Sequence, residues 1–451
     1  MTVLCLERAL LPEGWAERVT LRLDPEGRIA AVEPGKGEGE PVRGAVVPGL
    51  ANLHSHAFQR AMAGLAEVAG PGEDSFWSWR EVMYRFLARL EPEDVEAIAA
   101  FAYAEMLEGG FTAVGEFHYL HHDPEGRVYA EPAELALRHV EAARASGIGL
   151  TLLPSFYAHG DVGGAPASPG QRRFLCDLEL FGRIHAAAAR AVGTLPGGRI
   201  GIAPHSIRAV TPEELRRLVD LFPEGPVHVH ASEQPREVEA CRAVHGTTPI
   251  TLIADTIGLP ERLCLIHGTH ATEAERNALA GSAAVLGLCP ITEASLGDGI
   301  FPVTAFRREG GRFGVGSDSN VEIDAAAELR QLEYAQRLAL GRRNCLAAPG
   351  RSTGRVLFEA ALEGGARALG REPVGLRPGA SADLVALDPD HPDLSGRADD
   401  RLLDGWIFCA GKEAVREVRV RGRRMVEAGR HVAKDAILAR YRATLARLTE
   451  T

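Results

Sequence analysis

His54 and His56, one residue apart, close the apolar run PGLANLHSH at residues 48–56. Side chains at i and i+2 of a strand share a face, so these two imidazoles converge on one point. Converging imidazoles can ligate a divalent cation. Comparable side chains recur where other apolar runs stop: His205 and Arg208 in APHSIR, His228, His230 and Glu233 in HVHASE, His267 in IHGTH, and Asp318 in GSDSN. A single such histidine is more often core or solvated filler, because imidazole serves many roles. Their joint recurrence points to one shared centre. Three imidazoles and one carboxylate, His54, His56, His230 and Asp318, suit zinc first and iron or manganese next. They leave room for a water whose pKa the ion would lower toward neutrality. His230 is the expected donor in its run, because it lies nearer the C-terminal end and precedes Glu233. His228 shares its parity and is expected to pack in the interior one layer below. The chain's three lysines are Lys36, Lys412 and Lys434, and none lies between residues 36 and 412, so a carboxylated lysine bridging two ions in the barrel is excluded. One divalent ion per chain is the expectation.

Such side chains meet only if the runs that carry them are neighbours. The runs read as strands at 45–53, 111–117, 147–156, 199–206, 226–232, 262–268, 283–290 and 312–319, most of them followed by helical patterns. Residues 91–110 end in Gly-Gly as a helix terminus should. TPEELRRLVDLF opens with a Thr cap, Pro at the first helical position and Glu214 in capping-box spacing. Near-continuous apolar strands alternating with helices imply a parallel sheet covered on both faces, and eight units fit a (β/α)8 barrel of the TIM type, with chemistry at the C-terminal strand ends. The fold class is therefore α/β. Residues 1–47 and 376–430 are instead β-rich with Gly and Asp-Pro turns. Neither segment could bury a core alone, which predicts one small β-sandwich built from both termini, flanking a barrel over 48–375. Residues 431–451 read as a closing helix.

Composition excludes several classes. A net charge of −11 with no basic block disfavours nucleic acid and anionic membranes as partners. No apolar run reaches the roughly 18 residues of a membrane span, and the N-terminus lacks the pattern of a secretory signal. Seven scattered cysteines without CxxC spacing predict reduced thiols and a cytoplasmic location. Cys289 is expected to be buried core rather than a nucleophile. The cluster His118, His121 and His122 is expected to be a solvated loop group rather than a second metal site.

The motifs PGLANLHSH, HVHASE, LIHGTH and GVGSDSN resemble the amidohydrolase superfamily, in its mononuclear deaminase branch, along the whole chain. The resemblance implies that Glu233 moves a proton from water to the leaving nitrogen, and that His267 and Asp318 hold and deprotonate that water. HSHAFQRAMAG, SFWSWREVMYRF, GEFHYLHHDPEG and CPITEASLGDGIFPV further resemble the formimidoylglutamate deiminases. That likeness implies N-formimidoyl-L-glutamate and water as substrates and Gln59, Arg80, Tyr119, His205 and Arg208 as substrate contacts. Independent chemistry agrees, because a guanidinium offers a carboxylate a two-pronged donor fork. Arg80 lies in the long segment after the first strand, which could cover its own site or reach across the expected homodimer. A nucleobase deaminase is the rival reading, in which Trp77, Trp79 and Tyr119 would stack a base; otherwise these tryptophans pack a long loop. A non-catalytic scaffold on this fold should have lost a member of the His/Glu/Asp set, and none is missing.

Overall fold

The computed structural model describes residues 2–70 and 72–449. Its centre is a ring of eight parallel strands. The first four, Leu50–Ser55, Phe111–His118, Gly149–Phe156 and the split strand Arg199–Ile200 plus Ala203–Pro204, form one ladder. Val227–Ala231, Leu263–His267, Val285–Leu288 and Phe313–Val315 form the second. Single bridges close the ring: Ile202 with Val227, Ser206 with His230, and Ser55 with Asp318. The last two seams carry candidate metal donors, so closing the barrel and assembling the site are one event.

Two strand expectations shift. The apolar run at 45–53 breaks at Gly49: residues up to Pro48 belong to the outer strand Glu40–Pro48, and the barrel strand starts at Leu50. Gly49 admits no Cβ, which would lie 2.2 Å from the Thr112 side chain. The expected strand at 199–206 is interrupted at Gly201, which passes so close to the Pro226 carbonyl that a Cβ would sit 2.3 Å from it.

The barrel interior below the histidines is filled from the first strand. Leu53 is fully buried and projects toward glycines on two facing strands. A Cβ on Gly287 or Gly314 would lie 2.7 or 2.5 Å from its methyl groups, and one on Gly115 would lie 2.4 Å from its carbonyl oxygen. Glycine inside a strand marks such a close approach.

The terminal strands make one hydrogen-bonded mixed sheet of eight, in which Glu40–Pro48 lies between Thr2–Leu11 and Leu384–Leu387. This sheet bends around its own apolar cluster, including Leu4, Leu21, Val46 and Leu384. Arg430–His431 is its edge strand, so the closing helix runs from Lys434 to Thr449 rather than from 431, and residues 450–451 lie outside the described part. The expected helices stand at Pro92–Glu108 and Pro212–Leu221, the latter with the reciprocal Thr211–Glu214 capping box. Among the described residues no helix is long and apolar enough to cross a membrane.

Candidate metal centre and active site

His54 ends the first barrel strand's inward face, and His56 follows the strand directly. The eighth strand grips both: the Asp318 N–H donates to the His54 carbonyl (2.9 Å), and the His56 N–H donates to the Asp318 carbonyl (3.0 Å). Asn52 and Asn320 lock this seam from the side. Ser317 N–H donates to Asn52 Oδ1 at 3.0 Å, and Asn320 Nδ2 donates to the His56 and Asp318 carbonyls at 3.1 and 3.0 Å. Asp318 (φ 43°), Asn320 (φ 57°) and His267 (φ 72°) hold the left-handed conformation, which costs a non-glycine residue about 1–3 kcal/mol and gathers at functional sites.

The donor atoms converge. His54 Nε2 lies 3.1 Å from His230 Nε2 and 3.3 Å from Asp318 Oδ1, and His56 Nε2 lies 3.4 Å from the same oxygen. Two of the three other ring nitrogens are committed: His56 Nδ1–H donates to the Phe117 carbonyl (2.8 Å) and His230 Nδ1–H to the His205 carbonyl (3.0 Å), while His54 Nδ1 is buried without a partner. Both rings therefore present an Nε2 lone pair to the centre, as a ligating imidazole should. Burial drives the pKa of His54 down to about 3 and lowers those of His56 and His230, so all three are neutral. A His54 Nε2–H can bridge the 3.1 Å to His230 Nε2, and a cation between the rings would take both lone pairs in place of that proton. Separations of 3.1–3.4 Å are those of atoms set roughly 2.0–2.2 Å from a common ion. The residues fit a divalent metal.

His267 Nε2 stands 3.9 Å from both Asp318 Oδ2 and Glu233 Oε1. Its Nδ1–H points at Glu293 Oε1, 3.3 Å away. Burial opposes its charge, but the hydrogen bond to Glu293 and the Glu233 and Asp318 carboxylates raise its pKa to about 10. Glu233 Oε2 accepts a 2.7 Å hydrogen bond from Arg208 Nη2. Burial works against the Arg208 charge, yet the Glu237 and Glu233 carboxylates hold its pKa above the ordinary value. Glu237 also accepts the Glu233 backbone N–H at 2.9 Å.

Above these groups opens a pocket of about 720 Å³, lined among others by His56, Gln59, Arg80, Tyr119, His205, Arg208, His230, Glu233, His267 and Asp318. Every residue expected from the sequence to contact substrate faces this one space. Gln59 donates to the Tyr119 hydroxyl (3.1 Å), while its Oε1 is buried without a partner. Residues Phe76–Leu87 are not a loop but a helix capped by Ser75. It roofs the pocket of its own chain with Trp77, Trp79, Arg80, Met83 and Tyr84. Arg80 lines the pocket of its own chain, its guanidinium stacked 4.6 Å from the Trp77 ring and its Nε buried without a partner.

His228 is buried below the donors with Nε2 on the Ala368 carbonyl (2.8 Å). Cys289 is buried, and burial pushes its thiol pKa well up, as expected for core. The His118, His121 and His122 cluster corrects its expectation: all three rings are buried, not solvated. His118 packs 4.8 Å from the His139 ring, and His121 Nε2–H donates to the Ser155 carbonyl at 2.7 Å. Sequence reading missed Glu293, Glu237, Asn52 and Asn320. Only Asn52, a lone amide inside an apolar run, left a legible signal.

Residues 45–425 match the amidohydrolase family. This chain is an amidohydrolase. Residues 1–39 match "Formimidoylglutamate deiminase HutF, N-terminal domain". The amidohydrolase is 50% identical to the formimidoylglutamate deiminase of Pseudomonas aeruginosa over 444 residues, covering 96% of this chain and 97% of that protein. It is 31% identical to the 8-oxoguanine deaminase of the same organism, over 90% of this chain and 88% of that one. Its backbone superposes on the crystal structure of an amidohydrolase from Brucella melitensis with a TM-score of 0.95, at 49% identity, over 99% of this chain and 100% of that one.

Proposed function

We propose that the protein hydrolyses N-formimidoyl-L-glutamate to N-formyl-L-glutamate and ammonia in histidine degradation. The observation that carries this reading is a single pocket in which the His/Asp donor set forms the floor while two guanidiniums, Arg80 and Arg208, line the walls. A dianionic substrate needs such groups in a chain of net charge −11, and the full-length likeness to a formimidoylglutamate deiminase supports it. His54, His56, His230 and Asp318 hold one Zn²⁺ per chain. A bound zinc ion supplies acidity, lowering the pKa of water toward neutrality. His267 and Asp318 orient that water, and the Asp318 carboxylate takes up its proton. Glu233 delivers a proton to the departing nitrogen, so that it leaves as ammonia. Arg208 and Arg80 hold the carboxylates, while Gln59, Tyr119 and His205 orient the chain between them. The enzyme works in the cytoplasm as a homodimer, with neither nucleic acid nor membrane as a partner.

The test is ammonia release from formimidoylglutamate, guanine, adenosine and cytosine by the purified metal-loaded protein. Only the first should be consumed rapidly; deamination of guanine or adenosine with formimidoylglutamate untouched would overturn the reading. Trp77, the wall residue best suited to stack a base, already carries the guanidiniums of Arg80 and Arg236, 4.6 and 4.4 Å from its ring.

Arg208 touches both the pocket and Glu233, and the two roles separate kinetically. Losing a charge-assisted hydrogen bond to a substrate carboxylate costs roughly 1.5–3 kcal/mol, or about ten- to hundredfold in kcat/KM. Arg208→Met should show that loss chiefly as a raised KM, with metal content unchanged. A variant that loses thermal stability while keeping its kinetics would make the arginine only a partner for Glu233.

A further inference from the structure

At the opposite end of the barrel lies a second cavity of about 760 Å³, between the N-terminal ends of the barrel strands and the terminal sheet. Four of its lining side chains are arginines: Arg28, Arg199, Arg371 and Arg421. Arg138, by contrast, meets three carboxylates, those of Glu93, Glu96 and Glu134. Here, among the described residues, no carboxylate comes within 4.0 Å of any of the four guanidiniums. They lean on neutral oxygens instead. Arg371 Nε donates to Thr151 Oγ1 (3.1 Å) and Nη1 to the Gly197 carbonyl (3.4 Å); Arg199 Nε donates to the Gly370 carbonyl (3.3 Å) and Arg28 Nη1 to that of Gly379 (3.0 Å). Arg421 Nη2 donates to the Glu26 carbonyl.

Arg371 Nη2 is buried and has no partner at all. An unsatisfied charged donor is costly to bury, and like charges around one cavity raise that cost. Burial, together with the neighbouring Arg199 and Arg421 charges, depresses the Arg371 pKa to about 10 despite Asp383 nearby. Asp383 and Glu372 also line the cavity, and Asp383 Oδ1 is taken by the Arg421 N–H (2.8 Å) and the Ser381 hydroxyl (2.7 Å).

We propose that this cavity is a binding site for a small polyvalent oxyanion, held by Arg199, Arg371 and Arg421 and separate from the catalytic pocket. Guanidinium forks match phosphate and carboxylate equally, so a phosphate and a dicarboxylate share the required chemistry.

Isothermal titration of the full-length metal-loaded protein with inorganic phosphate, and separately with succinate, tells the sources apart at ionic strength fixed with sodium chloride. Saturable binding of at least one anion is expected. The double variant Arg199→Gln/Arg421→Gln should weaken it at least tenfold, and Arg208→Met should leave it unchanged. Both altered arginines are partly or fully exposed, so an unchanged circular dichroism spectrum and Tm show that the fold survives. No saturable binding of either anion, binding that the double variant retains, or binding abolished by Arg208→Met would each overturn the proposal.

Discussion

Replacing Glu233 with glutamine is expected to lower kcat about 10²- to 10⁴-fold while leaving metal content and fold intact. Glutamine matches the shape of glutamate, and its amide oxygen can still accept the 2.7 Å hydrogen bond from Arg208. What it cannot do is carry a proton. Nitrogen leaves an amidine carbon only once protonated, and in the proposed mechanism Glu233, 3.9 Å from His267 Nε2, delivers that proton. Steady-state kinetics on formimidoylglutamate, paired with elemental analysis, reads both halves of the expectation. A glutamine variant with full turnover would require a different proton carrier.

The second large effect concerns the donor set. His230→Ala should empty the centre, taking metal content from about one ion per chain to near zero and turnover to background, because a three-donor remnant around one ion loses both affinity and geometry. His228→Ala is the matched control. It removes an imidazole two residues away on the same face, one that is bound to the Ala368 carbonyl rather than to the centre, and should keep its metal. Two tightly held ions in the parent, or metal retained without His230 and lost without His228, would show the donor set to be wrong.

The barrel was legible in the sequence because parallel strands buried on both faces are apolar throughout, and because the side chains at their ends break that pattern visibly. His54, His56, His230, Glu233, His267 and Asp318 all stand at such breaks. Glu293 and Glu237 do not: each lies within a helical stretch where an acidic residue is ordinary, and only the tertiary approach of that helix to His267 or Glu233 gives it meaning. The helix over 76–87 was hidden for a related reason. Its aromatic residues face a pocket that sequence periodicity cannot see. The buried histidines at 121 and 122 look solvated in a loop because their partners are backbone carbonyls of remote segments, Ser155 and Leu175, and His118 because the ring it packs against, His139, lies on a separate helix.

Leu53 and the glycines facing it set a limit on how this protein can diversify. With no space for even a methyl group at Gly287 or Gly314, a larger residue there would displace Leu53, the residue bonded directly to His54, and disturb the metal floor. The floor is frozen. New substrates must be accommodated by the roof, the helix from Phe76 to Leu87, whose side chains shape the pocket without filling the barrel. Selection for altered specificity, natural or in the laboratory, should therefore collect its substitutions in that helix and leave the strand glycines untouched.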